Sequence, residues 1–196
     1  MAPRCGAIVL AAGLSRRMGS NKLLADLHGK PLVTHVVDAI AAAGLPAPII
    51  VLGPAAEKVQ ACLADRDAKF VMAERHADGM AYSLVAGILA VPPGWKAAII
   101  CLADMPSVAP DLLRRLAQES APSAIAIPTF DGRRGNPVLW GRDYFAEIGS
   151  LSGDSGARGL FARHADKIIE VPWCDDSIHM DVDTIDALDQ LRNQPI

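Results

Sequence analysis

Two glycines, two arginines and a lysine gather within ten residues near the N-terminus. They are Gly13, Arg16, Arg17, Gly19 and Lys22, in the stretch IVLAAGLSRRMGSNKLL from Ile8 to Leu24. Small residues let backbone N–H groups come close to an anion, and fixed cations neutralise phosphate charge. The combination suits a nucleoside triphosphate held by the first loop of an α/β fold; the competing reading is an ordinary basic surface loop. Neither common phosphate motif is present. A Walker loop has four residues between its glycines and a lysine directly after the second, whereas five residues separate Gly13 from Gly19 here and Ser20-Asn21 precede Lys22. The fingerprint G-x-G-x-x-G is also missing, which leaves a nicotinamide or flavin enzyme without support.

Carboxylates recur where such a loop would need them. CLADMP (Cys101 to Pro106) sets Asp104 just past an apolar run. In open α/β sheets ligands bind beyond the carboxyl ends of the strands, and Mg²⁺ prefers one or two carboxylates together with phosphate oxygens. A turn or helix-capping role is the alternative for Asp104. DVDT (Asp181 to Thr184) offers a second pair: alternation along a strand puts Asp181 and Asp183 on one side, while Asp183 or Thr184 could instead cap the helix that follows. In HADGMAYSL (His76 to Leu84), Gly79 would let a flat base approach the backbone and Ser83 could bond its edge, or both simply start a helix. Arg133-Arg134-Gly135-Asn136-Pro137 and SGDSGAR (Ser152 to Arg158) are turn-forming stretches. Their Arg133, Arg134 and Arg158 could hold an anionic acceptor, and Asp154 could cap the next helix. His28, His35, His164 and His179 have no ligand spacing and receive no role. No serine lies in a G-x-S-x-G elbow.

Positioning these groups requires strands that alternate with helices, and the apolar pattern supplies them. Strands are predicted over 7–12, 48–52, 69–72, 97–102, 124–128, 137–140, 168–171 and 179–182. Helices are predicted over 32–43, 55–64, 80–90, 110–119, 144–148, 157–164 and 184–191, with a turn-rich hairpin in 129–136. Ala97–Leu102 is too evenly apolar for a sheet edge. The expected fold class is α/β with a mainly parallel sheet. One domain spans 1–196, with a break near Thr129 between a nucleotide half (about 1–128) and an acceptor half (about 129–196) that share one sheet.

Composition excludes other classes. Of 196 residues, 51% are hydrophobic and 21% charged, which argues against disorder. The net charge of −3, without a Lys/Arg block, argues against nucleic acid as a partner. Cys5, Cys62, Cys101 and Cys174 form no C-x-x-C pair, so zinc and a disulfide framework are not expected. No run approaches a membrane span and no signal peptide is recognised, so a cytoplasmic protein is expected.

Taken together, LAAG-x-S-x-RMG-x-x-KLL (Leu10 to Leu24), GM-x-x-SL (Gly79 to Leu84), LADMP (Leu102 to Pro106), GNP (Gly135 to Pro137), SGDSGAR and DVDT resemble, in order, the MobA-like NTP transferases, most closely the MocA-type branch. The resemblance implies a Rossmann-like three-layer fold of the nucleotide-diphospho-sugar transferase type. It also implies transfer of CMP from CTP to the terminal phosphate of molybdopterin or molybdenum cofactor, with Mg²⁺ as cofactor. Matched positions assign Arg17, Lys22 and Asp104 to catalysis. The nucleotide falls to Leu10, Ala11, Ala12, Gly13, Ser15, Arg16, Arg17, Gly19, Lys22, Gly79, Ser83 and Asp104, and the metal to Asp104 and Asp183. The acceptor, a phosphorylated pterin, falls to Arg134, Asn136, Pro137, Asp154 and Arg158. Ala12 in LAAG resembles the cytidylyl enzymes, where guanylyl relatives usually show Gly, and Glu74-Arg75 stands where many relatives carry Asn-Pro. Two alternatives stay open: guanylyl or other nucleotidyl transfer to a different phosphorylated acceptor, and a non-catalytic chaperone delivering cofactor to a molybdoenzyme.

Overall fold

The computed structural model describes residues 4–13, 21–75, 79–153 and 156–193. In chain order the strands are β1 (Cys5–Ala11), β2 (Asp26–Leu27), β3 (Lys30–Pro31), β4 (Ile49–Leu52), β5 (Lys69–Met72), β6 (Ala97–Leu102), β7 (Ile125–Phe130), β8 (Arg133–Arg134), β9 (Val138–Gly141) and β10 (Ile168–Pro172). The helices are α1 (Leu32–Ala42), α2 (Ala56–Cys62), α3 (Met80–Leu89), α4 (Pro110–Gln118), α5 (Phe145–Gly149), α6 (Arg158–Arg163) and α7 (Ile185–Arg192).

The main sheet runs β10-β7-β9-β6-β1-β4-β5, with β8 paired to β7. β6, β1, β4 and β5 run parallel to one another, as do β7 and β10; β9 is antiparallel to both β6 and β7, and β8 to β7. Strands from both sides of Thr129 therefore share one sheet. Period-two alternation sends successive side chains of each strand into two cores. Ala7, Val9, Ile50, Leu52, Ile99 and Cys101 meet Val33, Val36, Ile40, Leu112 and Leu116 of α1 and α4. Ile8, Ile49, Val51, Ile100, Ile127 and Trp140 meet Leu84, Ile88, Ile148 and Leu160 of α3, α5 and α6. Helices on both faces of a largely parallel sheet make the three-layer α/β architecture expected from the sequence. β6 lies between β1 and β9, away from either edge.

One expected strand is absent. Over 179–182, His179 instead closes a 3-10 turn (Asp176–His179), and no strand forms from Met180 to Asp183. Ile178, Met180 and Val182 mimic a strand by their spacing, but Ile178 enters the first core while Val182 enters a third, small core with Leu27, Leu32, Leu188 and Leu191. The Val182 N–H bonds to the Asp104 carbonyl (2.9 Å) rather than to a ladder. α7 begins at Ile185, not Thr184: the Thr184 Oγ1 accepts from the Ala187 N–H (3.1 Å) as the cap. The β2–β3 ribbon, which the sequence pattern did not reveal, turns on His28 (φ 52°) and Gly29 (φ 80°). Arg192 donates to the Asp26 carbonyl at 3.0 and 2.7 Å, fastening α7 to this ribbon.

Cys5 and Cys101 are free thiols in the sheet interior. Burial pushes the Cys5 thiol up to about 12 and raises that of Cys101 as well, so neither offers a thiolate at neutral pH. Among the described residues no helix is long and apolar enough to cross a membrane.

Gly6 shows how tightly the sheet is covered. A Cβ on Gly6 would lie 2.0 to 2.5 Å from ring atoms of Trp95, itself buried. Overpacking of this kind costs about 1–3 kcal/mol. Gly6→Ala is expected to lower the urea midpoint accordingly without changing the cooperativity of unfolding, and an unchanged midpoint would contradict the contact.

Candidate active site

The carboxyl ends of β1 and β6 face a cleft of about 670 Å³. β1 and the two residues after it deliver Leu10, Ala12 and Gly13 to its wall; α3 and the residue before it deliver Gly79, Met80 and Ser83. Gly79 sits at φ 132°, a conformation that side-chain-bearing residues rarely adopt, and this lets the chain turn into α3 beside the end of β1. The Ala81 N–H bonds to the Gly153 carbonyl (3.1 Å), drawing the Ser152–Gly153 loop to the same helix start.

Asp104 lies in the turn after β6. Its carbonyl, bonded to Val182, holds the DVDT segment against the end of the sheet. The outcome is a cluster in which one carboxylate oxygen each of Asp104, Asp181 and Asp183 lies within 4.8 Å of the others. Lys22 enters it from a 3-10 turn (Lys22–Leu24) capped by the Asn21 side chain. Its Nζ donates to Asp104 Oδ2 at 2.7 Å and to Asp183 Oδ1 at 2.6 Å. Burial pulls the Lys22 ammonium down, but Asp104 and Asp183 together outweigh it and hold the pKa above its ordinary value. Since Thr184 supplies the helix cap, Asp183 is left to face Lys22. Among the described residues, three carboxylates gather around one ammonium. All-oxygen donors converging on a cation suit a hard divalent ion, so the residues fit Mg²⁺ or Mn²⁺.

The far wall carries Arg134, Gly135, Asn136 and Arg158, with Ile178 and His179. Arg134 is held by Glu170, donating to Oε1 through Nε (3.0 Å) and a terminal nitrogen (2.9 Å). A second hollow of about 530 Å³ shares Leu10, Met80, Leu102, Arg134, Asn136 and Arg158 with the cleft and continues between Ile100, Ile127, Val138, Trp140 and Phe161. There the rings of Trp140 and Phe161 stack at 5.2 Å. A wider hollow, about 1070 Å³, lies beside Asn21, Leu24, Gly53, Lys58 and Glu74. None of the three clustered carboxylates lines it; all three line the smaller cleft.

The structure thus brings Leu10, Ala12, Gly13, Gly79, Ser83, Asp104, Arg134, Asn136, Arg158 and Asp183 to one cleft and joins Lys22 to it through the carboxylates. It does not bring Ala11, whose side chain belongs to the first core, or Pro137, which is buried and lines neither hollow. Ser15, Arg16, Arg17, Gly19 and Asp154 lie outside the described residues. Asp181, one of two candidates in the DVDT pair, joins the cluster together with Asp183. His179, to which the sequence assigned no role, also lines the cleft.

A mainly parallel α/β sheet with a carboxylate cluster beyond the ends of its strands defines a nucleotide-handling domain in general terms. The model of one family, the MobA-like NTP transferase domain, matches residues 7–168. The chain belongs to the MobA-like NTP transferase family. It is 30% identical over 191 residues to the bifunctional protein GlmU of Agrobacterium fabrum, covering 94% of this chain but 40% of that protein. Among the GlmU relatives it matches, the chain spans less than half of their length. It is 28% identical to nicotine blue oxidoreductase of Paenarthrobacter nicotinovorans, with 94% of each chain covered. The crystal structure of Rv0371c from Mycobacterium tuberculosis superposes with a TM-score of 0.86 at 31% identity, covering 99% of this chain and 100% of that one. A structure of Rv0371c in complex with manganese has a TM-score of 0.82 at 28% identity, covering 98% and 100%.

Proposed function

We propose that this protein is a cytidylyltransferase that moves CMP from CTP to the terminal phosphate of molybdopterin or molybdenum cofactor and releases pyrophosphate. The observation that supports it is the Asp104–Asp181–Asp183 cluster with Lys22, seated between the end of β1 and the Arg134–Arg158 wall. Asp104 and Asp183, with Asp181 beside them, are the residues that would hold a divalent ion. When bound, such an ion supplies charge neutralisation at the α-phosphate. In this reading Leu10, Ala12, Gly79 and Ser83 hold the base and ribose. Lys22 offsets charge on the leaving pyrophosphate, with Arg17 assigned to the same task by the sequence alone. An acceptor phosphate oxygen attacks the α-phosphorus while the bond from that phosphorus to the β-phosphate bridging oxygen breaks. The attacking group is already an anion, so no general base is required, and catalysis rests on positioning and electrostatics.

The apolar wall of the second hollow supports an acceptor with a flat ring system over a sugar phosphate. A ring laid against that wall is removed from water, whereas sugar hydroxyls would be left without partners there. A second reading follows from nicotine blue oxidoreductase, since the same hollow would take another flat aromatic molecule; G-x-G-x-x-G is absent from the chain, which speaks against it.

The test pairs CTP, GTP, UTP and ATP with molybdopterin or a hexose 1-phosphate, under Mg²⁺, and reads pyrophosphate. CTP with molybdopterin is the expected productive pair, and CTP the nucleotide that raises the melting temperature most. Turnover with GTP alone, or with the sugar phosphate alone, would overturn the base or the acceptor assignment respectively. Tight pterin binding without pyrophosphate would identify a delivery protein for a molybdoenzyme, and oxidation of NADH or NADPH by a flat aromatic substrate would favour the redox reading.

A further inference from the structure

Two residues of the acceptor wall ride on one short helix. α6 carries Arg158 and Phe161 three positions apart, hence on one face. Both line the second hollow, and Arg158 lines the cleft as well. Arg134 on the same wall is held by Glu170, whereas Arg158 has no ion-pair partner among the described residues. The place of Arg158 is therefore set by the helix that carries it.

Six residues are too few for a helix to persist alone in water, so α6 depends on its anchors. At its start, Ala157 provides no side-chain cap. The anchors lie toward its end. Leu160 is buried in the second core, and Phe161 stacks on Trp140. The Tyr144 ring meets His164 edge-on at 4.8 Å, and its hydroxyl donates to the Ser123 carbonyl at 2.9 Å. The remaining anchor is polar. Glu147 on α5 engages Arg163 with one carboxylate oxygen and His164 with the other. Its Oε1 lies 2.6 Å from a terminal nitrogen of Arg163, and its Oε2 lies 2.6 Å from His164 Nε2. A fully exposed ion pair restrains little. A half-buried carboxylate with both oxygens engaged fixes orientation as well as distance. Glu147, Arg163 and His164 line neither the cleft nor the second hollow.

We propose that Glu147 is a positioning residue for acceptor recognition: by pinning the end of α6 to α5 it holds Arg158 and Phe161 at the hollow. The proposal rests on the transferase reading, in which those two residues meet the acceptor, and it gives Glu147 no contact with either substrate.

The test compares Glu147→Ala and Glu147→Gln with the unaltered chain, using CTP with molybdopterin or a hexose 1-phosphate. Small misplacement of a binding group is costly, so Glu147→Ala should raise the KM for the productive acceptor about fivefold or more. The KM for CTP should stay within about twofold. Glu147→Gln keeps the length and an oxygen for Arg163 and should recover part of the loss. Alanine is a good helix former on α5, and the melting temperature checks that the sheet survives. Arg163→Met breaks half of the link at an exposed position and should give a smaller rise in the same direction, which keeps the test decisive should Glu147→Ala fail to fold. An unchanged acceptor KM, or an equal rise in both KM values, overturns the proposal. If the sugar phosphate is the productive acceptor and its KM responds, the pterin reading falls and the role of Glu147 stands. Two further signals need no turnover. In substrate-free Glu147→Ala the ¹⁵Nε resonance of Arg158 should move, although Arg158 lies about 7.5 Å along the helix from Arg163, and amide exchange over 158–164 should quicken. If neither acceptor is used, the transferase reading fails and these signals decide the brace: their movement upholds it. Both signals unmoved overturn it whatever the kinetics.

Discussion

Asp104→Ala is expected to lower pyrophosphate release by at least about two orders of magnitude, comparable to removing a principal preorganised electrostatic contact. The backbone argues that the fold will survive. The Val182 N–H bonds to the Asp104 carbonyl, not to its side chain, so the link between the β6 turn and the DVDT segment is retained in the variant. What disappears, among the described residues, is one of three clustered carboxylates and one of the two oxygens shown accepting from Lys22. Asp104→Asn sharpens the experiment. The amide keeps the size and an oxygen for Lys22, but not the negative charge, so a comparable fall in rate would identify charge as the contribution. Circular dichroism and melting temperature of both variants check the fold. Near-normal turnover of Asp104→Ala would remove this carboxylate from the reaction and with it the metal-binding role given to the cluster.

The sequence revealed the elements better than their connections. β6 was recognisable because six consecutive apolar residues fit only a strand covered on both faces, and the structure places it between β1 and β9. The segment before α7 was misread for a related reason. Ile178, Met180 and Val182 have the period of a strand, and nothing local discloses that Ile178 and Val182 enter different cores. The convergence of Lys22, Asp104 and Asp183 shows the same division. Each residue type was visible, but the convergence depends on a backbone bond between Asp104 and Val182 and on the small core under the β2–β3 ribbon. The Arg134–Glu170 pair joins residues far apart in sequence on β8 and β10, and only the sheet order brings them together.

Lys22→Met is the second substitution with a large expected effect, because Lys22 both ties the carboxylates together and, in the proposed reaction, offsets charge on the pyrophosphate. Its ammonium now bridges Asp104 and Asp183 at 2.7 and 2.6 Å; in the proposed reaction it faces the leaving pyrophosphate, so turnover should fall about 100-fold or more. The stability effect has a defined sign. Because its pKa in the folded chain is raised above the ordinary 10.5, the bridge contributes fully below that value and is lost only as pH rises through the higher folded value. Lys22→Met should therefore destabilise the fold by a similar amount at every pH from about 6 to 9, on the order of 1–2 kcal/mol for a partly exposed cluster, read as a lowered melting temperature. Methionine also removes the charge that competes with a divalent cation for the same oxygens. Adding Mn²⁺ in the absence of nucleotide should then raise the melting temperature more in Lys22→Met than in the unaltered protein. A smaller rise in the variant would mean that Lys22 and the cation do not share Asp104 and Asp183, and that the lysine supports the cation's position instead of opposing it.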